Sequence, residues 1–341
     1  NVSVRPVFVA STITDNTATW DITPTQLYTY RGPLIEEART NLVRYSSEFD
    51  NAGWSKIGAP TVTANHFART VSTASYLVQS VTKATSALQY TFSMEAKPDA
   101  GDFIVIRLQA AYPNRVDVCF NVSTGAITIA AVTAGTFTSP SATIKQLATG
   151  YYALSLTATS DTHTAISAHI GCSSVSQPLD GSGSSATASA FIRNAQVEQA
   201  SIASSYIPTT TAAVTRNADA LSYDTASWFA DGKAGTIQVD ADLTYATLSG
   251  NKWAACLYGN GSNYIGMYFN SASPRLYLSS GGITANNITL GTKAKGDSVR
   301  GSIGWDLNNV GSTIDTYSGV RVDTSSAIPV GINTLHVGSY N

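Results

Sequence analysis

Carboxylates are the first side chains to weigh, because a pair held opposite one another can hydrolyse a glycosidic bond. Asp240 and Asp242 stand two residues apart, so a strand would carry both on one face. A solvated strand face accounts for the same spacing. Glu36 and Glu37 point to opposite faces of any extended segment and fit turn or ion-pair roles. Glu48 and Asp50 are candidates for a structural calcium, an ion that takes oxygen ligands, although no dense Asp/Asn/Gly loop surrounds them. The histidines are His66, His163, His169 and His336. His163 and His169 read as residues of one strand face, where six positions separate them by roughly 20 Å, too far to share a metal. No Gly-x-Ser-x-Gly turn exposes a nucleophilic serine. These groups give no expectation of catalysis, nor of a cofactor beyond that calcium.

The aromatic residues carry more information. Ile265, Met267 and Phe269 alternate with Tyr264 and Tyr268, while Leu276 and Leu278 alternate with Arg275 and Tyr277. Leu257 turned inward leaves Tyr258 outward. If these runs are neighbouring strands, the tyrosines share one exposed face with Asp240, Asp242 and Arg300. Flat rings stack on the C–H faces of sugars, and charged groups beside them take hydroxyls. Cross-strand tyrosine packing explains the same pattern. Nearer the N-terminus, Trp54, Tyr112 and Tyr151 fall at turns or strand ends, where binding loops would lie; Trp54 serves equally well as a core plug.

The elements that must hold these residues are strands. In 341 residues only 12% are charged, against 43% apolar. Polarity comes from 42 Thr and 41 Ser, and Glu numbers five, a composition that suits pleated surfaces and starves helices. Tyr90, Phe92, Met94 and Ala96 alternate with Thr91, Ser93, Glu95 and Lys97. Similar period-two runs cover Phe103 to Ala110, Val118 to Val122, Tyr152 to Thr157 and Ala165 to Cys172. Beyond residue 220 the expected strands are Thr236–Tyr245, Lys252–Tyr258, Tyr264–Asn270, Arg275–Ser279, Ser298–Asp306 and Ser318–Asp323. The run from Thr334 to Asn341 reads as a strand left open at the edge of a sandwich, from which the natural polypeptide is expected to continue. Gly181 to Ser185 reads as a flexible loop.

Net charge of −2 without a basic tract argues against nucleic acid as partner, and no apolar run is long enough for a membrane helix. Cys119, Cys172 and Cys256, an odd set without CxxC spacing, are expected to be reduced.

A string of motifs then suggests a family. Arg31-Gly-Pro-Leu-Ile-Glu-Glu-Ala-Arg-Thr-Asn-Leu42 is followed by Glu48-Phe49 with Trp54, Tyr90-Thr-Phe-Ser93 with Lys97, Phe120-Asn-Val-Ser-Thr-Gly125, Gly150-Tyr-Tyr152, Ala195-Gln-Val-Glu198 and Ser205-Tyr-Ile-Pro-Thr209. In this order they resemble the carbohydrate-binding-module-like jelly rolls of phage tail-fibre and minor tail proteins. Where those relatives carry Trp-Tyr-Arg, this chain has Tyr151-Tyr152-Ala153. From Trp228-Phe229 through Gly235-Thr-Ile237 it resembles a concanavalin A-like (laminin G-like) sandwich. The expectation is an all-β chain with two antiparallel β-sandwich domains in tandem. Residues 1–40 would form an extended arm, 41–215 a jelly roll, and 216–341 a second sandwich, incomplete at its C-terminus. The resemblance implies a non-catalytic fibre or spike component on the virion, extracellular after release. Its partners would be host surface polysaccharide and other tail proteins, in a homotrimer. A glycan-free spacer and a polysaccharide-degrading tail-spike enzyme are the alternatives.

Overall fold

The computed structural model describes residues 2–5, 34–219, 221–243, 251–270, 273–289, 293–294, 297–306, 309–314 and 327–338. Most of the expected arm 1–40, including the first three residues of the Arg31–Leu42 motif, and the strand Ser318–Asp323 lie outside them. Every regular element among the described residues is a β-strand, and all pairings are antiparallel. Scarce Glu and Lys, with abundant Thr and β-branched residues, make that outcome physical. The chain divides into two compact units, residues 38–217 and residues 1–37 with 218–341.

In the unit of 38–217, two six-stranded sheets lie over one core. The first runs Ala126–Ala134, Arg115–Asn121, Phe103–Gln109, Ala165–Ser173, Tyr76–Thr82 and Ser55–Ile57. The second runs Thr138–Gln146, Tyr152–Thr159, Gln89–Pro98, Ser189–Glu198, His66–Ala68 and Thr61–Thr63. Tyr90, Phe92, Met94 and Ala96 are buried as the alternation requires, against Ile104, Ile106, Leu108, Leu154 and Leu156. Each such large side chain contributes about 1.5–3 kcal/mol by leaving water. Buried Asn41 ties the start of the unit to its end. Its Nδ2 donates to the carbonyls of Ala195 (3.1 Å) and Ile207 (2.9 Å), and its Oδ1 accepts from the amides of Val43 and Val197. All of its hydrogen-bonding capacity is met, which makes a buried amide tolerable.

The loop at Gly181 to Ser185 is not the loose segment expected. Gly183 N donates to Gln177 Oε1 (2.8 Å), Ser185 N donates to Ser174 Oγ (2.8 Å), and Asp180 takes a two-pronged grip from Arg107. Side-chain hydrogen bonds to backbone replace the order that glycine-serine composition lacks.

The other unit pairs a five-stranded sheet with a six-stranded one. The former is ordered Leu34–Ile35, Val2–Arg5, Gly235–Leu243, Ser298–Asp306, Asn309–Ile314. The latter is ordered Leu221–Asp224, Thr334–Val337, Asn251–Asn260, Asn263–Asn270, Ser273–Ser280, Ile283–Thr289. Val239, Ala241, Val299 and Ile303 are buried in one sheet; Leu257, Ile265, Met267, Phe269, Leu276 and Leu278 are buried in the other. Two expectations change here. Val2–Arg5 is no free arm but a strand hydrogen-bonded to Gly235–Leu243, with Val2 opposite Leu243. Thr334–Val337 is an interior strand, paired on both sides by Leu221–Asp224 and Asn251–Asn260, so the open-edge reading of that run does not hold.

Candidate functional site

Strand registry in the six-stranded sheet of the second unit lines up the aromatic residues. Trp253 stands opposite Tyr268, which stands opposite Arg275. The next row on that face is Cys256, Gly266 and Tyr277, and the next is Tyr258, Tyr264 and Ser279. Tyr264 and Tyr277 stack with centroids 5.4 Å apart and planes 7° from parallel. Trp253 meets Tyr268 at 5.0 Å and Tyr264 edge-on at 5.8 Å, while Tyr277 meets Tyr268 at 6.1 Å. Tyr258 sits one step along the sheet against His336, at 5.7 Å. Burial, reinforced by the neighbouring Tyr277 hydroxyl, pushes the Tyr264 phenol up to about 12, so it stays protonated as a hydrogen-bond donor.

Trp253 is the member that pattern reading missed. Strict alternation from inward Leu257 assigns Trp253 to the core. The registry shifts between Trp253 and Ala255, however, and this bulge turns the indole onto the tyrosine face. Gly266 permits the bulge, because a Cβ there would lie 2.1 Å from the Ala255 carbonyl oxygen. Nothing in the sequence announces a bulge beyond that glycine.

Other expected members separate from the cluster. Asp240 and Asp242 belong to the five-stranded sheet, not to the tyrosine face. Asp240 is opposite Arg300 and holds it through two hydrogen bonds of 2.7 and 3.2 Å; Asp242 accepts from Ser298 Oγ. Cross-strand pairing accounts for both carboxylates, and neither faces the other as a hydrolytic pair. The ring of Tyr268 is 8% exposed, which overturns the expectation of an outward ring that buries little. Its neighbours Trp253, Tyr264, Tyr277 and Arg275 are half-buried.

In the first unit Trp54 is the core plug. It is 1% exposed, packs on Phe49 at 5.3 Å and donates its indole N–H to Tyr45 O. Tyr151 is buried with the Arg193 guanidinium 3.8 Å from its ring centre and the Lys97 ammonium at 5.3 Å, so cations already occupy it. Tyr112 is 73% exposed beside Arg115. Glu48 and Asp50 are exposed, and among the described residues no three His, Cys, Asp or Glu side chains gather in a metal-like group. Glu36 and Asp219 exchange hydrogen bonds through backbone and carboxylate, and Glu37 pairs with Lys252 at 3.5 Å.

The histidines are not aligned as expected either. His163 lies before the strand Ala165–Ser173 and bonds Asp161 at 2.7 Å. His169 is within that strand, 5% exposed, with neither ring nitrogen hydrogen-bonded. Asp99 receives both His66 Nε2 and Ser189 Oγ, which puts the carboxylate in the middle. Activating a serine needs the histidine there. A cleft of about 370 Å³ opens beside Arg39, Lys83, Tyr90 and Thr215, but the Lys83 ammonium already donates to the carbonyls of Ala84 and Asp161. All three cysteines are buried free thiols.

No protein-family model matches this chain, and no curated protein does. Among solved structures it is similar to domains LG4–5 of the mouse laminin α1 chain, at 13% identity and a TM-score of 0.25 over 84% of this chain and 86% of that one. It is also similar to the LG1–3 region of the laminin α2 chain, at 8% identity and a TM-score of 0.23 over 82% of this chain and 59% of that one. At such scores the architecture rests on the sheets described above.

Proposed function

We propose that this chain is a non-catalytic carbohydrate-binding protein, a component of a phage tail fibre or spike that attaches to host surface polysaccharide. The observation that carries the binding reading is the single face on which Trp253, Tyr264, Tyr268 and Tyr277 collect, three of them half-buried. Packed against one another, the rings lose little freedom on binding, and stacked aromatic contacts are worth about 0.5–1.5 kcal/mol each. Two such contacts give a weak site. Fibres overcome weak sites by repetition, and a homotrimer on a virion would supply several linked copies. The ordered motifs from Leu34 to Thr209 support the virion setting, with other tail proteins as neighbours.

A glycan-free spacer is the second reading, and the depth of Tyr268 favours it, since a buried ring serves packing. A polysaccharide-degrading enzyme has less behind it, because Asp240 and Asp242 are committed to Arg300 and Ser298. Binding to intact host cells, followed by assay of the polysaccharide for chain shortening, separates the three. The attachment reading requires binding without shortening. Shortening would establish an enzyme, and absence of binding would establish a spacer.

A further inference from the structure

We infer that the aromatic face selects anionic saccharides, with Arg275 as the anchor for the carboxylate or phosphate of the sugar. This rests on the carbohydrate reading and names its ligand class. Arg275 stands directly opposite Tyr268 and two residues from Tyr277 on the same strand face. Two strand residues span about 7 Å, close to one pyranose with its charged substituent. The Nε of Arg275 is buried without a hydrogen-bond partner, and among the described residues no carboxylate, carbonyl or ring is paired with this guanidinium. Three other buried or half-buried arginines among the described residues are engaged through their guanidinium groups. Arg107 holds Asp117 and Asp180, Arg193 holds Glu95, and Arg69 holds a ring of backbone carbonyls. A desolvated N–H left unmet is costly, and a planar anion meets a guanidinium through two parallel hydrogen bonds.

The surrounding charge agrees. Across the six strands of this sheet the sole carboxylate is Asp224, on the edge strand Leu221–Asp224. Four inter-strand spacings separate that strand from Ser273–Ser280, about 19 Å, well beyond the screening length of about 8 Å at physiological salt. Asp240 and Asp242 lie on the other sheet, Glu37 is paired with Lys252, and the two strands that flank Arg275, Asn263–Asn270 and Ile283–Thr289, carry no carboxylate. Neutral sugars would use the rings alone; an acidic sugar would also satisfy Arg275.

The test is binding of the full chain to an array carrying uronic-acid, phosphate-substituted and matched neutral oligosaccharides, with Arg275→Gln, Arg275→Lys and Trp253→Ala alongside. The expected result is a preference of about tenfold or more for one anionic set over its neutral match, weakening as salt rises. Which anionic set is retained tells carboxylate from phosphate. Arg275→Gln should reduce binding to the neutral level, and Arg275→Lys, which keeps charge but not the fork, should restore part of the preference. Should Arg275→Gln fail to fold, a reduced preference in folded Arg275→Lys supports the anchor role, and an undiminished one overturns it. Equal binding of neutral and anionic sets that Trp253→Ala abolishes would overturn this inference and leave the carbohydrate reading standing. Retention of no glycan would overturn both.

Discussion

Arg69 shows how single side chains hold this fold. Only 4% exposed, it donates to the carbonyls of Val71 (3.3 Å), Ser72 (3.2 Å), Cys172 (3.0 Å) and Thr73, with no carboxylate among these partners. Replacement by methionine keeps the volume but strips four acceptors, so Arg69→Met should cost about 3 kcal/mol in urea unfolding. His169 gives a pH signature. Burial first, and the facing Arg107 charge second, depress its imidazole to about 3 from the ordinary 6.5. Between those values the unfolded chain binds the extra proton. Stability is therefore complete above pH 6.5 and declines as pH falls toward 3, by up to about 1.4 kcal/mol per pH unit. In His169→Phe that decline between pH 6.5 and 5 should flatten, which denaturation at the two pH values checks. Tyr268, which alternation places on an exposed face, is buried and should cost about 2–4 kcal/mol when cut to alanine. Alternation reveals a side chain's face but not its depth, and here Trp253 covers the ring.

Elements were legible in proportion to how one-sided their burial is. Gln89–Pro98, Tyr152–Thr159 and Ser298–Asp306 bury mainly one face and carry a clear period of two, whereas Phe103–Gln109 buries Val105 and Arg107 on one face as well as Ile104, Ile106 and Leu108 on the other. Ala126–Ala134 and Thr138–Gln146 carry no such signal, because they are edge strands with most residues exposed or half-exposed. Bulges break the pattern too, and the one beside Trp253 hid a site residue. The loop around Asp180 shows a further limit, since its order comes from distant Arg107 rather than from local composition. Burial alone would raise the Asp180 carboxyl, but the Arg107 hydrogen bonds and charge hold it below the usual carboxylate range. In Asp180→Asn, amide hydrogen exchange should quicken across 176–185 and stay unchanged in Phe103–Gln109, where Arg107 keeps Asp117. Equal exchange in both proteins would show that Gln177 and Ser174 fasten the loop unaided.

At the scale of the whole molecule, the unit of 38–217 is continuous in sequence and the other is not. Residues 38–217 should fold when expressed alone. A piece beginning at 218 leaves one edge of Gly235–Leu243 without the strand Val2–Arg5 that pairs it. That piece should melt lower or associate through the bare edge, and addition of a peptide spanning residues 1–37 should correct it. Two sandwiches were expected from the motif string that ends at Thr209 and the separate resemblance that begins at Trp228, whereas the return of the N-terminal strand to the second unit was not, because pairing across more than two hundred residues leaves no local trace. The central claim is that this second unit carries a sugar-binding face. Its most direct test is retention of the full chain on an array of bacterial surface glycans, with Trp253→Ala, checked by circular dichroism to be folded, beside it. The account predicts that the unaltered chain is retained and that Trp253→Ala loses about tenfold or more in affinity. Equal retention of the two proteins, or retention of neither, would contradict it.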